Sequence, residues 1–133
     1  MSKWSHFANA KHIDRIIAHV KANPKAWNAV QAERYPAWNA AWDAANSAMA
    51  RRARYSAYDA ARFAVHAAVR DAAKWVAYDA ASFAILALVA WDYAGGLMDL
   101  PAEQVKVLAI LGDQAAILMY LAIVAMETTQ ELA

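Results

Sequence analysis

Tyr55-Ser56-Ala57-Tyr58-Asp59-Ala60-Ala61-Arg62-Phe63-Ala64-Val65 and, twenty residues on, Trp75-Val76-Ala77-Tyr78-Asp79-Ala80-Ala81-Ser82-Phe83-Ala84-Ile85 are identical at seven of eleven positions. The unit reads as helix. Its aromatics at i and i+3 share one face, its Phe falls on the neighbouring flank, and the alanines between them leave a flat surface for a second helix. Alanine also has the best helix propensity. Weaker copies surround the pair: Trp42-Asp43-Ala44-Ala45 before it, and the fragments Asp71-Ala72-Ala73 and Trp91-Asp92-Tyr93-Ala94. The aspartates at 43, 59, 71, 79 and 92 are unevenly spaced, so the array is duplicated helix-packing chemistry rather than a solenoid of fixed period.

Outward from the repeat the helical reading holds. No stretch alternates with period two, and three Gly and three Pro leave few places to turn a strand. Between 37 and 94 there is neither Gly nor Pro, yet one helix of that length would approach roughly 90 Å, too long for a compact domain. Breaks are therefore expected at Arg51-Arg52-Ala53-Arg54 before Ser56 and near Arg70-Asp71, where Ser and Asp serve as N-caps. Upstream, Asn9 is expected to cap a first helix carrying the stripe Ile13, Ile16, Ile17 and Val20; Asn23-Pro24 ends it, and Pro24 and Pro36 open two more. Downstream, Gly95-Gly96 is expected to close a helix in the left-handed conformation, Pro101 to open the next, and Gly112-Asp113 to interrupt it. The run 105–126 is read as two buried helices, the last apolar on nearly every side and so either central or covered by another subunit. At 133 residues the chain is one domain. The expected fold is all-α: a compact bundle of about six or seven helices, with short helices in 1–35, Ala-rich repeat helices in 36–94, and a C-terminal hairpin or kinked helix in 97–133.

Composition removes several classes of function. The absence of cysteine excludes disulfides, thiol catalysis and cysteine zinc sites. The first ten residues lack the apolar core of a secretory signal, and the run 105–126 carries Lys106 and Asp113, so a soluble cytoplasmic protein without a membrane span is expected. Net charge is +1 but unevenly placed: residues 1–91 carry 12 Lys and Arg against six acids, residues 92–133 one against six. The two parts can attract each other within a molecule or between copies.

Chemistry-bearing motifs are sparse. His6, His12, His19 and His66 form no metal-ligand pattern, the acids stand singly, Ser and Thr lack a His-Asp context, and there is no phosphate loop. No enzyme activity, metal or cofactor is expected. Mid-helix Asp has poor propensity, so Asp43, Asp59 and Asp79 need a reason. They are solvated positions, or interhelix partners for Arg and Tyr, or the polar lining of a pocket. Arg54, Arg62 and Arg70 beside Tyr58, Trp75 and Tyr78 are the best candidate for a ligand site, since guanidinium groups bind phosphate bidentately and aromatic faces stack on bases. Near-neutral total charge argues against duplex nucleic acid, whose affinity comes mainly from phosphate neutralisation.

The segment from Ala87 to Leu118, built around Trp91-Asp92-Tyr93-Ala94-Gly95-Gly96-Leu97-Met98-Asp99-Leu100-Pro101, resembles the C-terminal part of uncharacterised alanine-rich proteins of tailed bacteriophages, which also carry aromatic-Asp-Ala-Ala strings upstream. The resemblance covers residues 38–126. It departs at Tyr120, where the family pattern often has a proline in the last helix. It implies a phage origin and a place in the host cytoplasm, and brings no catalytic residues. The function expected from it is that of a non-enzymatic accessory protein, homo-oligomeric through its apolar last helix, that inhibits or sequesters a host component. Its target is a nucleotide-like signal held between helices or, alternatively, a host protein met through a surface patch; a virion structural or assembly role is the third possibility.

Overall fold

The structure is a computed structural model. It describes residues 3–30, 34–51, 55–69 and 75–132, with side chains at 34–36, 38, 47–51, 55–57, 68–69, 75–76 and 129–132 outside the description. It is an all-α bundle: α1 (Ala10–Ala22), α2 (Pro24–Asn28), α3 (Arg34–Arg51), α4 (Tyr55–Val69), α5 (Trp75–Ala90), a 3₁₀ segment (Asp92–Asp99), α6 (Ala102–Ile110) and α7 (Gln114–Leu132). The breaks expected at Arg51-Arg52-Ala53-Arg54 and near Arg70-Asp71 fall on 52–54 and 70–71, outside the described residues. Pro24 opens α2, and Pro36 lies in the first turn of α3, where its missing N–H costs nothing.

α5 and α7 are the central pair. α7 packs also on α2, α3, α6 and the 3₁₀ segment, and α5 on α1, α2, α3 and α4. Residues 81–90 are all buried, which explains why this part of α5 has no polar face except Ser82. Along α7, Leu118, Met119, Leu121 and Ile123 are buried among alanines. Most of the described part of the last helix is therefore covered within the chain. The alanines keep helix axes close, and ordering them sacrifices no side-chain rotamer freedom. α1 buries Ile13, Ile16 and Val20 and half-buries Ile17, the stripe that the spacing predicts.

Three local expectations are corrected. Asn9 stands at the N-cap of α1 but makes no side-chain cap bond there. Its amide instead donates to the carbonyls of Leu88 and Trp91 at 2.9 and 3.0 Å. The end of α5 leaves carbonyls without intrahelical partners, and in the interior these need a donor more than an exposed first turn does. Gly95-Gly96 does not close a helix: α5 already stops at Ala90, Trp91 is extended, and both glycines lie inside the 3₁₀ segment. Gly95 is required for closeness, because a Cβ there would strike Asn9 Oδ1 and the His12 ring, whereas Gly96 faces open space. Finally, α6 is not a buried helix. Ala102 and Val105 face the core, but Val107, Ile110 and Leu111 stand in solvent.

The α6–α7 corner is tightly specified. Gly112 has φ +95°, and the N–H groups of Gly112 and Asp113 donate to the carbonyls of Ala109 and Leu108, both at 3.0 Å, the paired bonds of a Schellman closure. Asp113 then caps α7, its Oδ1 accepting from Ala116 N–H at 2.9 Å. At the other end of α6, where Pro101 supplies no cap, Glu127 of α7 accepts from Ala102 N–H at 2.8 Å. Among the described residues no helix is long and apolar enough to cross a membrane.

Candidate functional site

Two surface regions concentrate groups able to bind. The first lies where α4 meets α5 and holds three of the residues singled out by sequence: Tyr58, Arg62 and Tyr78. Tyr58 is buried, and Arg62 and Tyr78 are half-buried. The Arg62 guanidinium sits 5.9 Å from the ring centres of both Tyr58 and exposed Phe63, and the His66 ring meets Tyr78 edge-on at 5.8 Å. Burial alone would lower the Arg62 pKa, but Tyr78, the hydrogen bond to Asp59 and Tyr58 outweigh it and raise it. Arg62 bonds Asp59 at 2.7 Å, one turn back on the same helix.

That bond answers the question raised by the aspartates. Asp59 partners an arginine within its own helix; Asp43 is exposed on α3; Asp79 is half-buried on α5 and engaged in a contact of its own. Arg54 and Arg70 lie outside the described residues. Trp75 is the first residue of α5, with its side chain outside the description. The α4–α5 surface thus presents an aromatic face whose described cation is already neutralised.

The second region was missed by sequence reasoning. α6, α7 and the first turns of α3 enclose an open slot of about 260 Å³, walled by Ala37, Ala40, Ala109, Ile117 and Tyr120, with Ile110 and Lys106 on its margin. Alanine on α3 and α6 is what leaves the space. Beside the slot, Ile110 and Leu111 are 76% and 77% exposed, and Val107 stands out from the same side of α6 at the i, i+3, i+4 spacing. Exposed Tyr93 flanks the corner, its hydroxyl donating to Asp113 at 3.0 Å. Partial burial and that bond raise the Tyr93 pKa, keeping the phenol a donor at neutral pH. Of six large apolar side chains exposed among the described residues, these four gather here. The signal in the sequence was the helix itself: nine residues whose only charges are Glu103 and Lys106 cannot bury an apolar surface on every side against one neighbour.

Chemically, this face offers desolvation and shape. Among the described residues no three His, Asp or Glu gather closely enough to hold a metal ion. Lys106 is the one basic residue of 92–133, placed where an apolar slot opens to solvent. Comparison of the chain with models of known protein families, with curated proteins and with solved structures finds no match.

Proposed function

We propose that this protein is a non-enzymatic accessory protein, of phage origin, that works in the host cytoplasm by contact with a host protein through the outer face of α6. The observation that carries the reading is the gathering of Val107, Ile110 and Leu111 in solvent beside an apolar slot. Single exposed apolar residues are ordinary, but contiguous patches rimmed by polar groups mark interaction surfaces. Tyr93 adds an amphipathic aromatic of the kind that anchors interfaces. A small molecule in the slot would meet Ile110 but leave Val107 and Leu111 in water, whereas a protein surface laid across α6 covers slot and ridge together.

The test places a photo-crosslinking amino acid at position 110 during phage infection, with another at exposed position 67 on α4 as control. A host protein crosslinked from 110 and not from 67, and lost in Leu111→Glu, is the expected outcome; equal labelling from both positions, or none, defeats the reading. Capture of a nucleotide-like signal at Tyr58, Arg62 and Tyr78 is the second reading, favoured by the exposure of Phe63 beside Arg62. It predicts a rise in melting temperature with some member of a nucleotide panel. Recovery of the chain from purified virions would instead support a structural or assembly role.

A further inference from the structure

We infer that the exposed side of α1 is a docking strip for single-stranded nucleic acid, whose phosphates are met in turn by Lys11, Arg15 and His19. The strip is separate from the α6 face: α1 packs on α2, α4 and α5, and α6 on α7.

The first observation is charge. Residues 3–28 carry Lys3, Lys11, Arg15, Lys21 and Lys25 against one acid, Asp14, and all five bases are exposed. Among the described residues none of the five pairs with an acid, and Asp14 is engaged by the Trp4 indole N–H at 2.9 Å. Unpaired like charges gathered over so short a stretch repel one another. A polyanion laid across them relieves that repulsion and releases its own counterions.

The second observation is order. Lys11, Arg15 and His19 follow one another at i, i+4 and i+8, a row of about 12 Å along one flank of α1. His19 completes the row as a donor. Its Nδ1 accepts the indole N–H of buried Trp27 at 2.9 Å, so the ring proton sits on Nε2, which has no partner among the described residues and lies near Arg15. A buried tryptophan thus holds a half-buried imidazole in the tautomer that can donate to a phosphate oxygen.

The form of the row selects the anion. A compact phosphate reaches two neighbouring groups, whereas a strand with a phosphate at every nucleotide reaches all three. Immediately before α1 the rings of exposed His6 and half-buried Phe7 lie 4.3 Å apart at 33°, an aromatic face of the kind on which an unpaired base stacks. A duplex keeps its bases stacked inside, and a lipid headgroup has none.

The test is titration of the full chain with a fluorescent oligothymidylate of about 15 nucleotides. Binding is expected with a Kd on the order of 10 μM at about 50 mM NaCl, and with a log–log salt slope of about −2, as roughly three neutralised phosphates require. Lys11→Gln combined with Arg15→Gln should weaken binding by about 10-fold or more and flatten the slope to about −0.7, with the melting temperature unchanged because both side chains are exposed. The His19 and Trp27 side-chain N–H resonances should shift on adding the oligonucleotide to the parent chain. Absence of binding overturns the inference, and binding indifferent to the double substitution overturns its placement on α1. Tripolyphosphate or phosphatidylserine vesicles bound as tightly as the oligonucleotide overturn the assignment to a nucleic-acid strand.

Discussion

The two copies of the repeat lie on α4 and α5 with nearly the same residues in contrasting surroundings. Ala61 and Val65 on α4 match Ala81 and Ile85 on α5, and all four are fully buried. The flank differs: Phe63 is 64% exposed, while Phe83 is 4% exposed and meets the Trp42 ring edge-on. Arg62 reaches water and Asp59, whereas the matching Ser82 is buried with its hydroxyl unpartnered among the described residues. The cause lies in the neighbours: α4 packs on α1 and α5, but α5 is enclosed by α1, α2, α3, α4 and α7. A repeat thus specifies a helix and its inner stripe. What its flanks become is decided by how many other helices arrive.

The contrast breaks most sharply at the phenylalanines. Phe83→Ala should cost about 3–5 kcal/mol in a denaturant titration, and Phe63→Ala less than about 0.5 kcal/mol. Similar losses at both sites would mean that α4 is covered as α5 is. Enclosure of α5 also depends on the contact at its C-terminal end. Gly95→Ala should destabilise by roughly 1–3 kcal/mol, because Asn9 is held by two carbonyls and cannot yield. The adjacent Gly96→Ala should be neutral or slightly stabilising.

Smaller effects sharpen the picture. Ser82→Ala removes a buried hydroxyl without a partner and should raise stability by about 1 kcal/mol. Arg62→Ala, at the matching position, breaks an exposed one-turn ion pair and should cost no more than about 0.5 kcal/mol. The smallest effect is acid sensitivity at the α1–α2 junction beside α5. Buried Trp27 donates its indole N–H to His19 Nδ1 at 2.9 Å, and burial together with nearby Arg15 lowers the His19 pKa. The unfolded chain then binds the proton more readily. This contribution is full above about pH 6.5 and is lost as pH falls toward the lowered folded value. Melting temperature followed from pH 7.5 to 5 should decline, and His19→Gln should flatten that part of the curve.

Much of the fold was legible because its signals are local. Pro24 opens α2 through a fixed φ and a missing N–H, and the α1 stripe follows from 3.6-residue periodicity. What escaped were decisions made at a distance. Nothing near Asn9 indicates that α5's last carbonyls, some 80 residues later, claim its amide. Gly95-Gly96 carries a helix-stop signal locally, yet Gly95 is small to make room for α1. The candidate site escaped for the same reason. Ile110 and Leu111 look like core residues until it is known that α7 has already been covered on its other sides.

The burial of α5 has a consequence for synthesis. Residues 81–90 find much of their cover in α7, which leaves the ribosome more than twenty residues after them. The cap of α6 arrives later still, with Glu127. Until then the nascent chain displays the apolar side of α5 that α7 will cover, the kind of surface that chaperones hold and that aggregates when they do not. Closing the bundle is therefore a late, C-terminal event, and a ribosome stalled before α7 would present a client for quality control rather than a partly working protein.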